Sequence, residues 1–169
     1  CFMGQKGVSV TKTISIIRAH IEDAEAILAL QKRAYQSEAI IYNDQSLPPL
    51  VQTIESLNAE FVDCVILKAV DNQHMVGSVR MKLKNDICYI GRLIVDPSHQ
   101  GQGIGTQLLQ AAESFWKDAH SFELFTGNRS ECNIQLYERH GYEIIRTEMM
   151  TSDFGLLFLQ KHTLKDTHV

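Results

Sequence analysis

The pattern of apolar and polar positions divides the 169-residue chain into a run of short elements. Residues 13–18 form a β-branched run that predicts a strand. Glu22 and Asp23 then open a helix in which Ala24, Ile27, Leu28, Leu30, Ala34 and Tyr35 fall on one face, and the acidic start suits the helix dipole. Residues 38–50 are irregular, with turn signals at Asn43-Asp44 and Pro48-Pro49. The two prolines open a second helix carrying Leu50, Ile54 and Leu57 on one side. Residues 61–70 and 75–84 predict strands joined by Asp71-Asn72-Gln73-His74, and a turn at Asn85-Asp86 leads into a third strand, residues 88–95. The three make an antiparallel meander, and Asp96-Pro97 ends it because proline has no N–H and turns its predecessor away from the α region.

Beyond a glycine-rich turn, Ile104, Leu108, Ala111, Ala112 and Phe115 recur at helical spacing. Residues 121–125 then form a strand expected to lie parallel to 88–95, by a right-handed crossover. A helix over 131–140 ends at the C-cap glycine Gly141, and residues 142–150 and 156–161 make a hairpin around Ser152-Asp153. The order is β-α-α-β-β-β-α-β-α-β-β. It predicts one α/β domain over residues 10–164, with flexible ends at 1–9 and 165–169.

The glycine-rich turn, Gln100-Gly101-Gln102-Gly103-Ile104-Gly105, carries the chemistry. Alternate glycines remove Cβ atoms at a helix N-terminus, where unpaired N–H groups and the helix dipole favour a phosphate or pyrophosphate. Thr106-Gln107 follow the last glycine where a P-loop needs Lys-Ser/Thr, and a dinucleotide fingerprint would place its third glycine at Thr106. Both of those readings fail on spacing.

Composition narrows the picture. A net charge of −4 with no long basic run does not suggest nucleic-acid binding. No apolar run approaches bilayer length, so no membrane partner is expected. Cys1, Cys64, Cys88 and Cys132 show no C-x-x-C pairing, which fits reduced thiols in a cytoplasm. The seven histidines form no metal-ligand pattern, and no metal is expected.

The form Gln100-x-x-Gly103-x-Gly105, preceded by Val95-Asp96-Pro97, resembles the coenzyme A-binding signature of the GNAT superfamily of N-acetyltransferases. Leu136-Tyr137-Glu138-x-x-Gly141-Tyr142 resembles that family's second signature, and Ile17-Arg18 followed by Glu22-Asp23-Ala24 resembles its opening. The resemblance implies a GNAT-like mixed, mostly antiparallel sheet flanked by helices, with acetyl-CoA as cosubstrate. It places Gln100, Gly101, Gln102, Gly103, Ile104, Gly105 and Thr106 at the pyrophosphate. It sets main-chain groups of Leu93, Ile94 and Val95 along the pantetheine arm, with the Leu93 N–H facing the thioester oxygen as oxyanion donor. Tyr137 falls near the thioester sulfur as a proton donor, the alternative being a packed core ring. Ser130 and Asn133 stand where the family often has Asn and Ala; Ser130 can cap its helix, and either one serves the pantetheine arm.

The segment between the first two helices walls the acceptor site in the family, which assigns Glu38, Tyr42 and Asp44 to the substrate, with solvated loop as the plainer alternative. Tyr89 is a further acceptor-side candidate, placed by strict alternation on one face with Gly91, Leu93 and Val95, against Cys88, Ile90, Arg92 and Ile94. No residue is assigned as general base. The function implied is transfer of an acetyl group to a small amine by direct attack in a ternary complex. A non-catalytic acetyl-CoA sensor and a peptide or protein N-acetyltransferase are the alternatives, and a homodimer stays open.

Overall fold

The structure, a computed structural model, describes residues 14–163. The flexible ends expected at 1–9 and 165–169, and Thr13 of the first predicted strand, lie outside the described residues. Strand β1 (Ile14–Arg18) leads through a 3-10 turn (Ile21–Asp23) into helix α1 (Ala24–Ala34) and then α2 (Gln36–Tyr42). A single helical turn, α3 (Pro48–Val51), precedes α4 (Ile54–Asp63). Strands β2 (Val65–Asp71), β3 (His74–Lys84) and β4 (Ile87–Val95) follow, then α5 (Ile104–Phe115), β5 (Ser121–Gly127), α6 (Glu131–Arg139), β6 (Glu143–Met149) and β7 (Gly155–His162).

All seven strands join one sheet in the order β1-β2-β3-β4-β5-β7-β6. Every neighbouring pair is antiparallel except β4 and β5, which run parallel as the crossover rule expects. The two tight turns of the meander have both central residues at positive φ, Asn72 (51°) and Gln73 (76°), then Asn85 (52°) and Asp86 (67°), the twist that a two-residue hairpin requires. The sheet is covered on both faces. Ile104, Leu108, Leu109 and Ala112 of α5 pack with Tyr137 of α6 on a core that includes Val79, Met81, Cys88 and Ile90. Ala24 and Ile27 of α1 pack with Leu57 of α4 and Ile66 on the other face. Full burial of one such Leu or Ile is worth ~1.5–3 kcal/mol.

The structure corrects three expectations about the helices before β2. Residues 61–63 belong to α4, not to the strand after it, because Thr53 accepts the Ser56 N–H at 3.1 Å and starts a helix that runs on through Phe61 and Val62. The stretch 38–50 is not a loop throughout: it begins as α2, which Asn43 ends in the left-handed conformation at φ 53°. The helix expected to start at Pro48 and carry Ile54 and Leu57 is interrupted at Gln52, whose ψ of 139° is extended.

The feature that makes the site is in β4. Its pairing with β5 is confined to Ile87–Ser121, Cys88–Phe122 and Tyr89–Glu123. Beyond that point the two strands part, so Ile90–Val95 and Leu124–Gly127 have no strand neighbour across the gap. On its other edge β4 is bulged: Ser78 pairs Ile94 and Arg80 pairs Gly91, leaving Arg92 and Leu93 opposite the single residue Val79. Arg92 takes φ 48° to make the bulge. The bulge reverses the alternation, so Leu93 and Val95 pack on the core that holds Cys88 and Ile90 and do not share a face with Tyr89 and Gly91.

Candidate functional site

A cavity of about 720 Å³ lies beside the part of β4 that has left β5. The edge of β4 contributes Leu93, Ile94 and Val95 to it. The glycine-rich turn contributes Gln100, Gly101, Gly103, Ile104, Gly105 and Thr106. The first two turns of α6 and its N-cap add Ser130, Asn133 and Leu136, and Tyr35 with Glu38 and Ile41 of α2 completes the lining on that side.

The turn is shaped by its own sequence. Asp96 accepts the Ser98 N–H at 2.9 Å and the Ser98 hydroxyl at 2.7 Å, and its other oxygen accepts Arg33 of α1 at 3.0 Å. Burial pulls this carboxyl upward, but the Ser98 and Arg33 donors outweigh it and hold the pKa down at about 2. Gly101 (φ 80°) and Gly103 (φ 84°) occupy left-handed backbone, and a Cβ built on either meets nothing within 4 Å. Gly103 is the N-cap of α5 and offers no side-chain bond, so the first intrahelical bond is Gln107 N–H to the Gly103 carbonyl at 3.1 Å. The N–H groups of Ile104, Gly105 and Thr106 therefore lack an intrahelical acceptor at the positive end of the helix dipole. Gln102 is exposed and does not line the cavity.

A polar chain closes the opposite wall. The Ser130 hydroxyl donates to Glu38 Oε1 and lies 2.9 Å from the Tyr42 hydroxyl, which also accepts the Arg129 N–H at 2.9 Å. Ser130 stands at the N-cap of α6 without capping it, a correction to the expected role, because its hydroxyl is engaged by α2. Asn133 donates to Thr126 Oγ1 at 3.3 Å. Tyr42 does not line the cavity; it sits behind Ser130, edge-on to Phe154 with ring centres 5.0 Å apart and with the Arg129 guanidinium 4.9 Å above it. Asp44 is a second correction. It is exposed, lies outside the cavity, and accepts the Ser46 N–H and hydroxyl at 2.8 and 2.5 Å.

Tyr137 is only 6% exposed and packs in the α5–α6 core, its ring centre 6.0 Å from that of Tyr142. Burial first, and then the neighbouring Tyr35 and Glu38, push its phenol above the ordinary value near 10, so it stays protonated at neutral pH. Its helix ends as the sequence predicts: Gly141 adopts φ 92°, its N–H bonds the Glu138 carbonyl at 3.1 Å, and the Tyr142 N–H bonds the Tyr137 carbonyl at 3.1 Å.

A second, smaller cavity of about 260 Å³ lies farther back along β4. Tyr89, Gly91 and Arg92 of β4, Arg80 and Lys82 of β3, Glu60 of α4 and Phe125 of β5 line it. Tyr35 lines both cavities, and on β4 Arg92 lines the smaller one while the next residue, Leu93, lines the larger. Sequence reasoning placed Tyr35 only on an apolar helix face and passed over Arg80. The signal was present: a charge inside the buried run Val79-Arg80-Met81 needs partners, and Gln31 amid the apolar positions of α1 is one of them.

Among the described residues, no group of His, Cys, Asp and Glu side chains is arranged to hold a metal ion, and no helix is long and apolar enough to cross a membrane.

Residues 62–144 match the family described as Acetyltransferase (GNAT) domain. The chain is 27% identical over 139 residues to the UPF0157 protein YqkA of Bacillus subtilis (strain 168), covering 82% of this chain but only 39% of that protein's length. It is 24% identical over 131 residues to the uncharacterized N-acetyltransferase YjcF of the same organism, covering 78% of this chain and 89% of that one. In structure it superposes on the PaiA N-acetyltransferase of Thermoplasma acidophilum, solved in complex with coenzyme A, with a TM-score of 0.76 and 19% identity over 89% of this chain and 99% of that one. The parted parallel strands, the glycine turn at a helix start and these matches agree: the protein carries the GNAT acetyltransferase fold and resembles the GNAT superfamily in sequence over residues 62–144.

Proposed function

We propose that the protein is an acetyl-CoA-dependent N-acetyltransferase acting on a small amine by direct attack within a ternary complex. The observation that carries this is the continuity of one cavity, from the uncapped glycine turn along the unpaired edge of β4. The cradle suits the group. Gly101 and Gly103 leave open space where side chains would stand, and three N–H groups at the start of α5 face a ligand that brings phosphate charge. Gln100 to Thr106 would hold the pyrophosphate. The main chain of Leu93 to Val95 would take up the pantetheine arm, with Ser130 and Asn133 on its far side. When bound, acetyl-CoA supplies an activated acyl carbon whose bond to sulfur breaks as the amine nitrogen bonds to it.

The residues of this chain do the rest. Leu93 lines the large cavity, and its N–H stabilises oxyanion charge on the thioester. Tyr137, kept neutral by burial and with Tyr35 and Glu38 beside it, is the proton donor to the departing thiolate, and its phenolate is reprotonated through solvent by the proton that the attacking nitrogen loses. Tyr89 borders the acceptor side. Free thiols at Cys64, Cys88 and Cys132 support a cytoplasmic setting.

The test is thermal unfolding with coenzyme A. At a hundredfold excess over the dissociation constant, binding adds about 2.7 kcal/mol to stability. Gly105→Val, which sets a branched side chain between the turn and the wall at Leu136, is expected to lose most of that shift while remaining folded. No shift with the unaltered protein overturns the proposal.

A further inference from the structure

The smaller cavity has a charge opposite in sign to that of the protein as a whole. The chain carries a net charge of −4, yet Arg80, Lys82 and Arg92 all line this cavity, against the single carboxylate of Glu60. Glu60 is not free for a ligand. Its Oε1 accepts Arg80 Nη1 at 2.7 Å and its Oε2 accepts Gln52 Nε2 at 2.7 Å. The other guanidinium nitrogen of Arg80 donates to Gln31, which is held in turn by the Pro49 carbonyl and Gln52, both at 2.9 Å. Arg80 is 5% exposed, and its Nε has no partner.

Arg92 is less satisfied still. Its Nε is buried without a partner, the Tyr35 hydroxyl is a neighbour, and no ion pair joins it to a carboxylate among the described residues. Arg80 and Arg92 also repel one another. Two guanidinium groups held close together, one of them lacking a counter-ion, cost free energy unless an anion completes them.

We infer that this cavity recognises the carboxylate of an amino-acid-type acceptor, with Arg92 as the principal contact, supported by Arg80 and Lys82. The inference rests on the proposed acetyl transfer and names its substrate class. Arg92 lines the smaller cavity, the next residue Leu93 lines the larger, and Tyr35 lines both. A carboxylate on Arg92 therefore puts an amine borne on a neighbouring carbon near the acyl-transfer point. The volume of about 260 Å³ is below the usual range for drug-sized ligands, which favours a single amino acid over a long peptide. Tyr89 and Phe125, 40% and 52% exposed, give the side chain of such an acceptor two aromatic surfaces. Of the acidic wall expected from the sequence, Asp44 lies outside both cavities, and Glu38 lines the larger one with its carboxylate bonded to Ser130.

The experiment uses the full chain with acetyl-CoA and matched acceptors: L-glutamate, L-phenylalanine and L-methionine, each beside its α-amide and its decarboxylated amine. At least one amino acid is expected to exceed both of its matched analogues in kcat/KM by about 10- to 100-fold, the range of a charge-assisted hydrogen-bond pair. Arg92→Gln is expected to remove that preference mainly through KM, the amino acid losing more in kcat/KM than its decarboxylated amine. Arg92→Lys restores part of it. Should Arg92→Gln fail to fold, the preference of the unaltered protein decides by itself. Equal or better turnover of the uncharged analogues overturns the inference. So does binding of coenzyme A, seen as a thermal shift, without turnover or binding of any of the amino acids. Absence of the coenzyme A shift itself overturns the acetyl-transfer reading, and the inference falls with it.

Discussion

Gly127, at the end of β5, supports the cavity wall through a contact that has no room for a methyl group. A Cβ built there collides with the Tyr42 hydroxyl and lies 2.6 Å from its Cζ and 3.1 Å from its Cε2. In Gly127→Ala, Tyr42 must therefore leave its place. It would give up its bonds to Ser130 and Arg129, both 2.9 Å, and its edge-on contact with Phe154. A neutral hydrogen bond is worth ~0.5–1.5 kcal/mol, an aromatic pair ~0.5–1.5, and overpacking costs ~1–3. These effects overlap, so the expected loss is about 2–4 kcal/mol, or roughly 5–15 °C in Tm for a domain of this size. Urea unfolding of the single variants and of the pair with Tyr42→Ala measures it. In the Tyr42→Ala background the obstacle is gone, and Gly127→Ala is expected to cost less than about 0.5 kcal/mol. An equal cost in both backgrounds, or none in the first, refutes the steric argument. Since Tyr42 holds Ser130 against Glu38, Gly127→Ala is also expected to weaken coenzyme A binding.

Tyr137→Phe keeps the ring and removes the phenol; turnover is expected to fall by up to ~10²–10⁴ with coenzyme A affinity nearly unchanged, measured by steady-state kinetics where chemistry limits the rate. Asp96 has its folded pKa depressed from 3.8 to about 2, so the stability it contributes is present above pH 3.8 and is lost as pH falls through about 2. Asp96→Asn should flatten the acid limb of a Tm-against-pH curve in that window, and an unchanged limb rules the contribution out. Cys132 is exposed and lines the large cavity, whereas Cys88 is buried and its thiol is pushed up to about 12, by burial and then by Glu113. Peptide mapping after brief alkylation at neutral pH should find Cys132 labelled and Cys88 spared, with saturating coenzyme A slowing the reaction at Cys132; equal labelling of both in the native protein would contradict the burial.

The sequence by itself determined most of the elements and the glycine turn at the start of α5, because both depend on local rules. The meander follows from β-branched runs and two-residue turns, and the parallel β5 from the handedness of a strand–helix–strand connection. The cradle follows from glycines at a helix start, and the helix end at Gly141 from backbone geometry alone. Tertiary structure decided the rest. The insertion of β7 between β5 and β6 is a long-range pairing that no turn residue encodes. The bulge at Arg92 reversed the alternation of β4, since one extra residue in a strand carries every later side chain to the other face. With that reversal Arg92 stands beside Tyr35 and Arg80 in the smaller cavity, and Leu93 lines the larger one. Asp44 and Glu38 read alike in sequence as acidic wall residues, yet one closes a local turn with Ser46 and the other reaches Ser130, 92 residues away along the chain. Charge pattern alone could not separate them, because the partner that fixes a carboxylate is chosen by packing between distant elements.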